Sequence, residues 1–384
     1  MTTSATARNA DPSRWRRAWV QVHLWLGLTL GVVGALIGLS GSVLVYDHEI
    51  DEVLNPQRYA ITAAHHALAF DDYAQRAAKA LGEDARPTGI RLPNQDDAPV
   101  IVFARAGNGP FQRAYLDPGT GRVLDTATGQ DWLGVLHSFH ESLMLREYNG
   151  REIVGVVGVA MLVSSLSGLC LWWPARGTRA SFAFRRGRTL SRNLHYTFGF
   201  WGMVVLAALS FTGAVIAFPD AARSAASWFG AVSSSARGVR STSDAGGPAI
   251  GADEAVAIAR ALYPRAEPVG IGLPVGPRGA FRVNLREAGD TDSRSATVVF
   301  VDPRSRAVLF RADQASRSAA DRFLAWQRPV HEGSMGGSVW RALVFAGGLS
   351  PALLMATGLP MWLASRRRKR VVRVRPAMAA LADD

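Results

Sequence analysis

Four long, nearly uncharged stretches constrain this chain more than any motif does: residues 18–46, 151–173, 195–218 and 338–364. Each has at least about 20 residues, enough to cross a ~30 Å hydrocarbon core as a helix. They also account for a low share of charged residues, 19%, against roughly 25% in a soluble domain. The first stretch follows a basic run, Arg14, Arg16 and Arg17, as a secretory signal would. It is too long for a signal core of roughly 7 to 15 residues, and it runs into acidic residues (Asp47, Glu49, Asp51, Glu52) rather than a small-residue cleavage site. It is therefore read as an uncleaved span. The expected fold is an integral membrane protein with a four-helix transmembrane bundle.

The net charge is +12, but its distribution speaks against a nucleic-acid surface. Basic residues cluster in segment 1–17 and in the 174–194 loop, which carries Arg176, Arg179, Arg185, Arg186, Arg188 and Arg192 and no acid. A third cluster, Arg366 to Arg370, lies in the tail 365–384. In a four-span chain these three places share one side, so the positive-inside rule makes them and both termini cytoplasmic. Segments 47–150 and 219–337 then lie on the extracytoplasmic side. An arginine collar against membrane lipid explains the charge, and no nucleic-acid partner is expected. The single cysteine, Cys170, sits in the second span. The external segments therefore lack disulfide staples and each needs a buried core of its own.

The two halves of the chain resemble one another, which points to a tandem duplication. The first span carries His23-x-x-x-Gly27 and ends in Ser40-Gly41-Ser42-Val43; the third carries His195-x-x-x-Gly199 and ends in Thr212-Gly213-Ala214-Val215. His140 precedes Ser167-Gly168 and Trp172 as His331 precedes Thr357-Gly358 and Trp362. Outside the membrane, Asp72–Leu81 and Asp253–Leu262 have helical apolar spacing. Strand-like pieces follow, Ile90–Pro93 and Ile271–Pro274, then strand pairs turning at Asp117-Pro118 and Asp302-Pro303. Each external segment is predicted to be a small α+β module. The two units should be related by a pseudo-two-fold along the membrane normal.

Four of the eight histidines occupy equivalent places in this repeat. The pseudo-two-fold brings His23 toward His195 near the cytoplasmic side and His140 toward His331 near the external ends of spans two and four. Two neutral imidazoles facing across a bundle suit the two axial positions of a haem iron. Zinc would need four ligands, and neither pair supplies them. Trp25, Phe198, Phe200 and Trp201 are candidate walls for the lower site. A histidine at a membrane boundary is also a common polar anchor; recurrence in register at two depths favours ligation over that alternative. His137, one turn before His140, is an alternative ligand or a partner for haem propionates. His48 is read as solvated beside three acids, with an iron or propionate contact as an alternative, and His65 and His66 as surface residues in a linker. Arg146, Arg151 and Arg341 near the external span ends suit propionates or interfacial snorkelling.

The chain has no Gly-x-Gly-x-x-Gly after a strand, no Walker loop, no Cys-x-x-Cys and no Cys-x-x-Cys-His. Any haem would be held non-covalently, and electrons would have to come from a separate donor.

The stretches His23–Leu28, Leu39–Asp51, Leu171–Pro174, Leu194–Trp201 with Phe218-Pro219, and Val330–Gly333 through Met361-Trp362 resemble the PepSY-associated transmembrane family. The likeness runs from about residue 14 to 370 and implies PepSY-like external modules. It also implies two b haems ligated by His23, His195, His140 and His331, and a place in the bacterial inner membrane. Members similar to it reduce iron held by siderophores. The implied activity is that of an oxidoreductase, reducing a ferric siderophore outside with electrons from a cytosolic or quinol donor. No catalytic side chain beyond the ligands is implied. Two alternatives stand beside it: a haem-free PepSY-type binding or regulatory protein anchored in the membrane, and an iron-chelate transporter.

Overall fold

The computed structural model describes residues 12–380 except 63–67, 94, 96, 177–189, 235, 237, 242–247, 288–296 and 313–316, with no side-chain placement for 12, 13, 173–176 and 368–380. Most of the arginine-rich loop, together with His65 and His66, thus lies outside the described residues. The chain divides into two compact units, one helical (residues 1–45, 136–221 and 330–384) and one built on a sheet (46–135 and 222–329).

In the helical unit, three helices among the described residues are long and apolar enough to cross a membrane: α6 (Gly150–Arg176), α7 (Leu190–Ala217) and α11 (Gly337–Ala380). The first apolar stretch, expected as one span, is two helices, α1 (Pro12–Thr29) and α2 (Gly31–Leu44), meeting at 61°. Counted as one broken span, the pair makes a fourth crossing. At the break the Thr29 hydroxyl donates to the Trp25 carbonyl one turn back, a bond that bends helices. Gly31 follows directly and lacks the side-chain packing that would hold the next turn straight. The columns pack side by side, α2 on α11, α11 on α7, α7 on α6 and α6 on α1. Close approach is helped by small residues, as membrane packing requires: a Cβ on Gly38 would lie 2.4 Å from the Gly348 carbonyl oxygen.

Two shorter helices end just ahead of spans, α5 (Trp132–Ser142) before α6 and α10 (Ala319–Glu332) before α11. His140 and His331, expected near the external ends of the second and fourth spans, stand on these separate helices. Sharp turns make the separation. Leu143, Met144 and Asn149 take positive φ after α5, and Gly333, Gly336 and Gly337 do so after α10.

The second unit holds α3 (Asp47–Leu54), α4 (Phe70–Leu81), most of α8 (Pro219–Ala226), α9 (Ala252–Leu262) and, among the described residues, eight strands. These are β1 (Ala85–Arg91), β2 (Val100–Ala106), β3 (Phe111–Leu116), β4 (Val123–Thr128), β5 (Glu267–Gly272), β6 (Phe281–Arg286), β7 (Thr297–Val301) and β8 (Val308–Ala312). They form one antiparallel sheet in the order β4-β3-β2-β1-β5-β6-β7-β8. The expectation of two modules with separate cores is corrected here. β1 pairs with β5 around Ile90 and Ile271, and one apolar cluster draws on both segments, including Tyr73, Val100, Leu116, Ala255, Val283 and Val301. Strand β6 shows how the sequence directs its faces: Phe281, Val283 and Leu285 are buried, and the residues between them are not.

The two helices over this sheet cap each other. Asp253 accepts from the backbone N–H groups of Phe70 and Asp71 at 2.8 and 3.0 Å, and Asp71 accepts from the N–H of Ala252 at 2.9 Å. Each aspartate thereby satisfies donors at the other helix's N-terminus.

Candidate functional site: two histidine pairs in the helical unit

The structure brings His23 of α1 and His195 of α7 together, with ring centres 6.3 Å apart and planes at 87°. It brings His140 of α5 and His331 of α10 together at 6.2 Å and 46°. His137 is exposed, and it is His140 that faces His331.

All four imidazoles are oriented in the same way, by a hydroxyl followed by a glycine on a neighbouring helix. His23 Nδ1 lies 3.0 Å from the Ser164 carbonyl and 3.0 Å from the Ser167 hydroxyl of α6. His195 Nδ1 lies 3.1 Å from the Leu354 carbonyl and 3.1 Å from the Thr357 hydroxyl of α11. His140 Nδ1 lies 2.9 Å from the Ile37 carbonyl and 3.2 Å from the Ser40 hydroxyl of α2. His331 Nδ1 lies 2.9 Å from the Thr212 hydroxyl of α7. A carbonyl can only accept, so in the first three rings Nδ1 carries the proton. The hydroxyls agree, because each spends its own hydrogen on its helix: Ser167 on Ser164, Thr357 on Leu353, Ser40 on Ile37 and Thr212 on Ala208. Each is left as an acceptor, and the rule extends to His331. Nε2 is then the nitrogen that the site presents to a metal.

The glycine after each hydroxyl makes room for the ring. A Cβ on Gly41 would lie 2.6 Å from His140 Cε1, on Gly213 3.0 Å from His331 Cε1, on Gly168 3.2 Å from His23 Cε1 and on Gly358 3.2 Å from His195 Cε1. These Ser-Gly and Thr-Gly pairs stood out in the sequence as landmarks of the repeat. Their task of holding histidines was not read from it, since each partner is more than 90 residues away.

The pairs meet α7 at its two ends. His195 is near its start and Gly213, against which His331 packs, is near its finish. Eighteen residues of helix separate them, or about 27 Å of rise.

The spacing within each pair fits one iron between two rings. An imidazole nitrogen lies about 2 Å from a metal, which puts the centres of two axial rings roughly 6 Å apart. Among the described residues no group of three or more His, Cys, Asp or Glu converges as a bare metal ion would need. A planar macrocycle that supplies the remaining four nitrogens is the kind of group this donor set fits.

Other expected residues find different places. Phe200 stacks on Trp172 at 4.2 Å, whereas Trp25 and Trp201 are more than half exposed and Phe198 is also exposed. Arg151 donates to the Ile216 carbonyl at the end of α7, and Arg341 to the Val45 carbonyl at the end of α2, so both cap helix C-termini. Arg146 lies 3.7 Å from Glu141. His48 belongs to the sheet unit, where it stands edge to face with Tyr59 at 5.2 Å and its Nε2 is shielded from solvent. The solvated reading is corrected.

Several apolar helices long enough to cross a bilayer, in one chain with an antiparallel sheet, define a multi-pass membrane protein. More narrowly, the profile of the PepSY-associated TM region matches residues 20–365, and the chain belongs to that family. No curated protein matches it.

Proposed function

We propose that the chain is a di-haem electron-transfer protein of the bacterial inner membrane. It would reduce ferric iron held by a siderophore on the extracytoplasmic side with electrons from a cytosolic or quinol donor. With α1 and α2 counted as one span, this reading takes the helical unit as a four-helix bundle from a duplicated chain, both termini cytoplasmic.

One observation carries it: two imidazole pairs at opposite ends of α7, with ring centres 6.3 and 6.2 Å apart and Nδ1 of every ring engaged by a neighbouring helix. His23 and His195 would hold a haem b at one end, and His140 and His331 another at the other. Haem b supplies a one-electron carrier that needs no proton. The chain's own part is orientation. Ser167, Thr357, Ser40 and Thr212 hold the rings. Reduction aids release, because iron(II) is a softer, weaker partner for hard oxygen chelators than iron(III).

The test is a reduced-minus-oxidised spectrum of detergent-purified protein. The expected result is two b-type haems per chain, with His23→Ala removing one and leaving the other. A colourless preparation, even after haem supplementation, removes this reading and leaves the haem-free binding protein.

A further inference from the structure

The two histidine pairs share their hydrogen-bonding device but not their ring geometry. The first pair is crossed at 87° and the second tilted at 46°. Each plane is set from outside its own helix: the ring's Nδ1 points at a fixed hydroxyl, in three rings shared with a carbonyl of the same neighbouring helix, and its Cε1 edge lies in the gap left by the next glycine. A ring held at Nδ1 and along one edge cannot turn about its Cβ–Cγ bond without losing the bond or striking the helix. The angle between two rings is then fixed by the spans that carry the cradles, α6 and α11 for the first pair and α2 and α7 for the second.

Ring planes matter to an iron between them. Crossed axial imidazoles interact equally with the two metal orbitals of π symmetry, and tilted ones split them. The Nδ1 bond matters too, because donating that proton makes the ring a stronger base toward the metal.

We infer that Ser167, Thr357, Ser40 and Thr212 are positioning residues that make the two centres electronically unlike, the His23/His195 centre crossed and the His140/His331 centre tilted. This rests on the haem reading above. The hydroxyls do not ligate; they set the plane and basicity of the ligand.

The experiment is low-temperature electron paramagnetic resonance with potentiometric titration of the full-length protein, on wild type, Thr357→Val and Thr357→Ser. Wild type is expected to give two different low-spin ferric signals, the more anisotropic one lost with His195→Ala. Thr357→Val should keep both haems but shift that signal and its midpoint potential alone, and Thr357→Ser should restore them. Thr212→Val should do the same to the other signal only. Two identical wild-type signals, or Thr357→Val with both haems retained and neither signal nor potential moved, overturn the inference while leaving the haem reading intact. A wild type without haem overturns both.

Discussion

His23 and His195 meet edge to face across the helical unit, at 6.3 Å and 87°, and neither is oriented by its own helix. α6 holds the first ring and α11 the second. One contact between two imidazoles thus depends on four helices at once, and small shifts of any of them register at the site.

Gly41→Ala should empty one centre and spare the other. Its Cβ would lie 2.6 Å from His140 Cε1, so the ring must swing off the Ser40 hydroxyl. Haem content should fall by about half. Gly27→Ala, with nothing within 4 Å of its Cβ, is the control. Unchanged haem content in Gly41→Ala would show that the ring relocates without losing its ligand role.

Met144→Gly should stabilise the protein. Met144 has φ 60°, a conformation that costs an L-residue roughly 1–2 kcal/mol and glycine little. Its side chain is 55% exposed, so little packing is lost. After the extra freedom glycine gains when unfolded, a gain of about 0.5–1 kcal/mol remains. Thermal unfolding in detergent should show a higher midpoint; a lower one would mean that the Met144 side chain outweighs its backbone.

Asp71→Ala and Asp253→Ala should each cost about 1 kcal/mol, the usual loss of an N-cap. Asparagine at either position keeps an oxygen to accept the same N–H bonds and should retain most of the stability. An Asn variant as damaged as the Ala variant would shift the account from capping to charge at the helix N-terminus.

Acid should loosen the sheet unit through Asp117. Burial alone would push its carboxyl up, but the hydroxyl and N–H of Thr62 and the N–H of Thr120 hold it well below the usual carboxylate range. A carboxyl whose folded pKa is depressed contributes stability above its unfolded pKa, about 4, and loses it as pH falls below that. Unfolding followed between pH 7 and pH 3 should steepen below about pH 4. Asp117→Asn should lower stability at pH 7 and flatten that dependence, and an unchanged slope would assign it to other carboxylates.

The spans were legible because apolar runs of that length have few other uses, and the histidine pairs because two similar halves place them at matching positions. The break at Leu30 was not legible: the glycine spacing around it continues through Gly34 and Gly38 without another break. Strand β6 alternates openly and β2 is largely apolar, so both strands are legible as such. The fusion of two modules through β1 and β5 lies beyond periodicity, which assigns faces but not partners. Only the folded chain shows that the Cβ absent from Gly270 would sit 2.7 Å from the Ile90 carbonyl oxygen. The hydroxyl cradles were hidden for the same reason, as contacts between distant segments.

The cradles also impose a timetable on biosynthesis. His195 is oriented by Leu354 and Thr357, and His331 is only six residues ahead of α11. The His23/His195 pair therefore cannot be finished while the last span is still being made. Under the proposed reading, haem loading at the first pair would wait until the last span is in place, which would make cofactor capture a checkpoint on insertion.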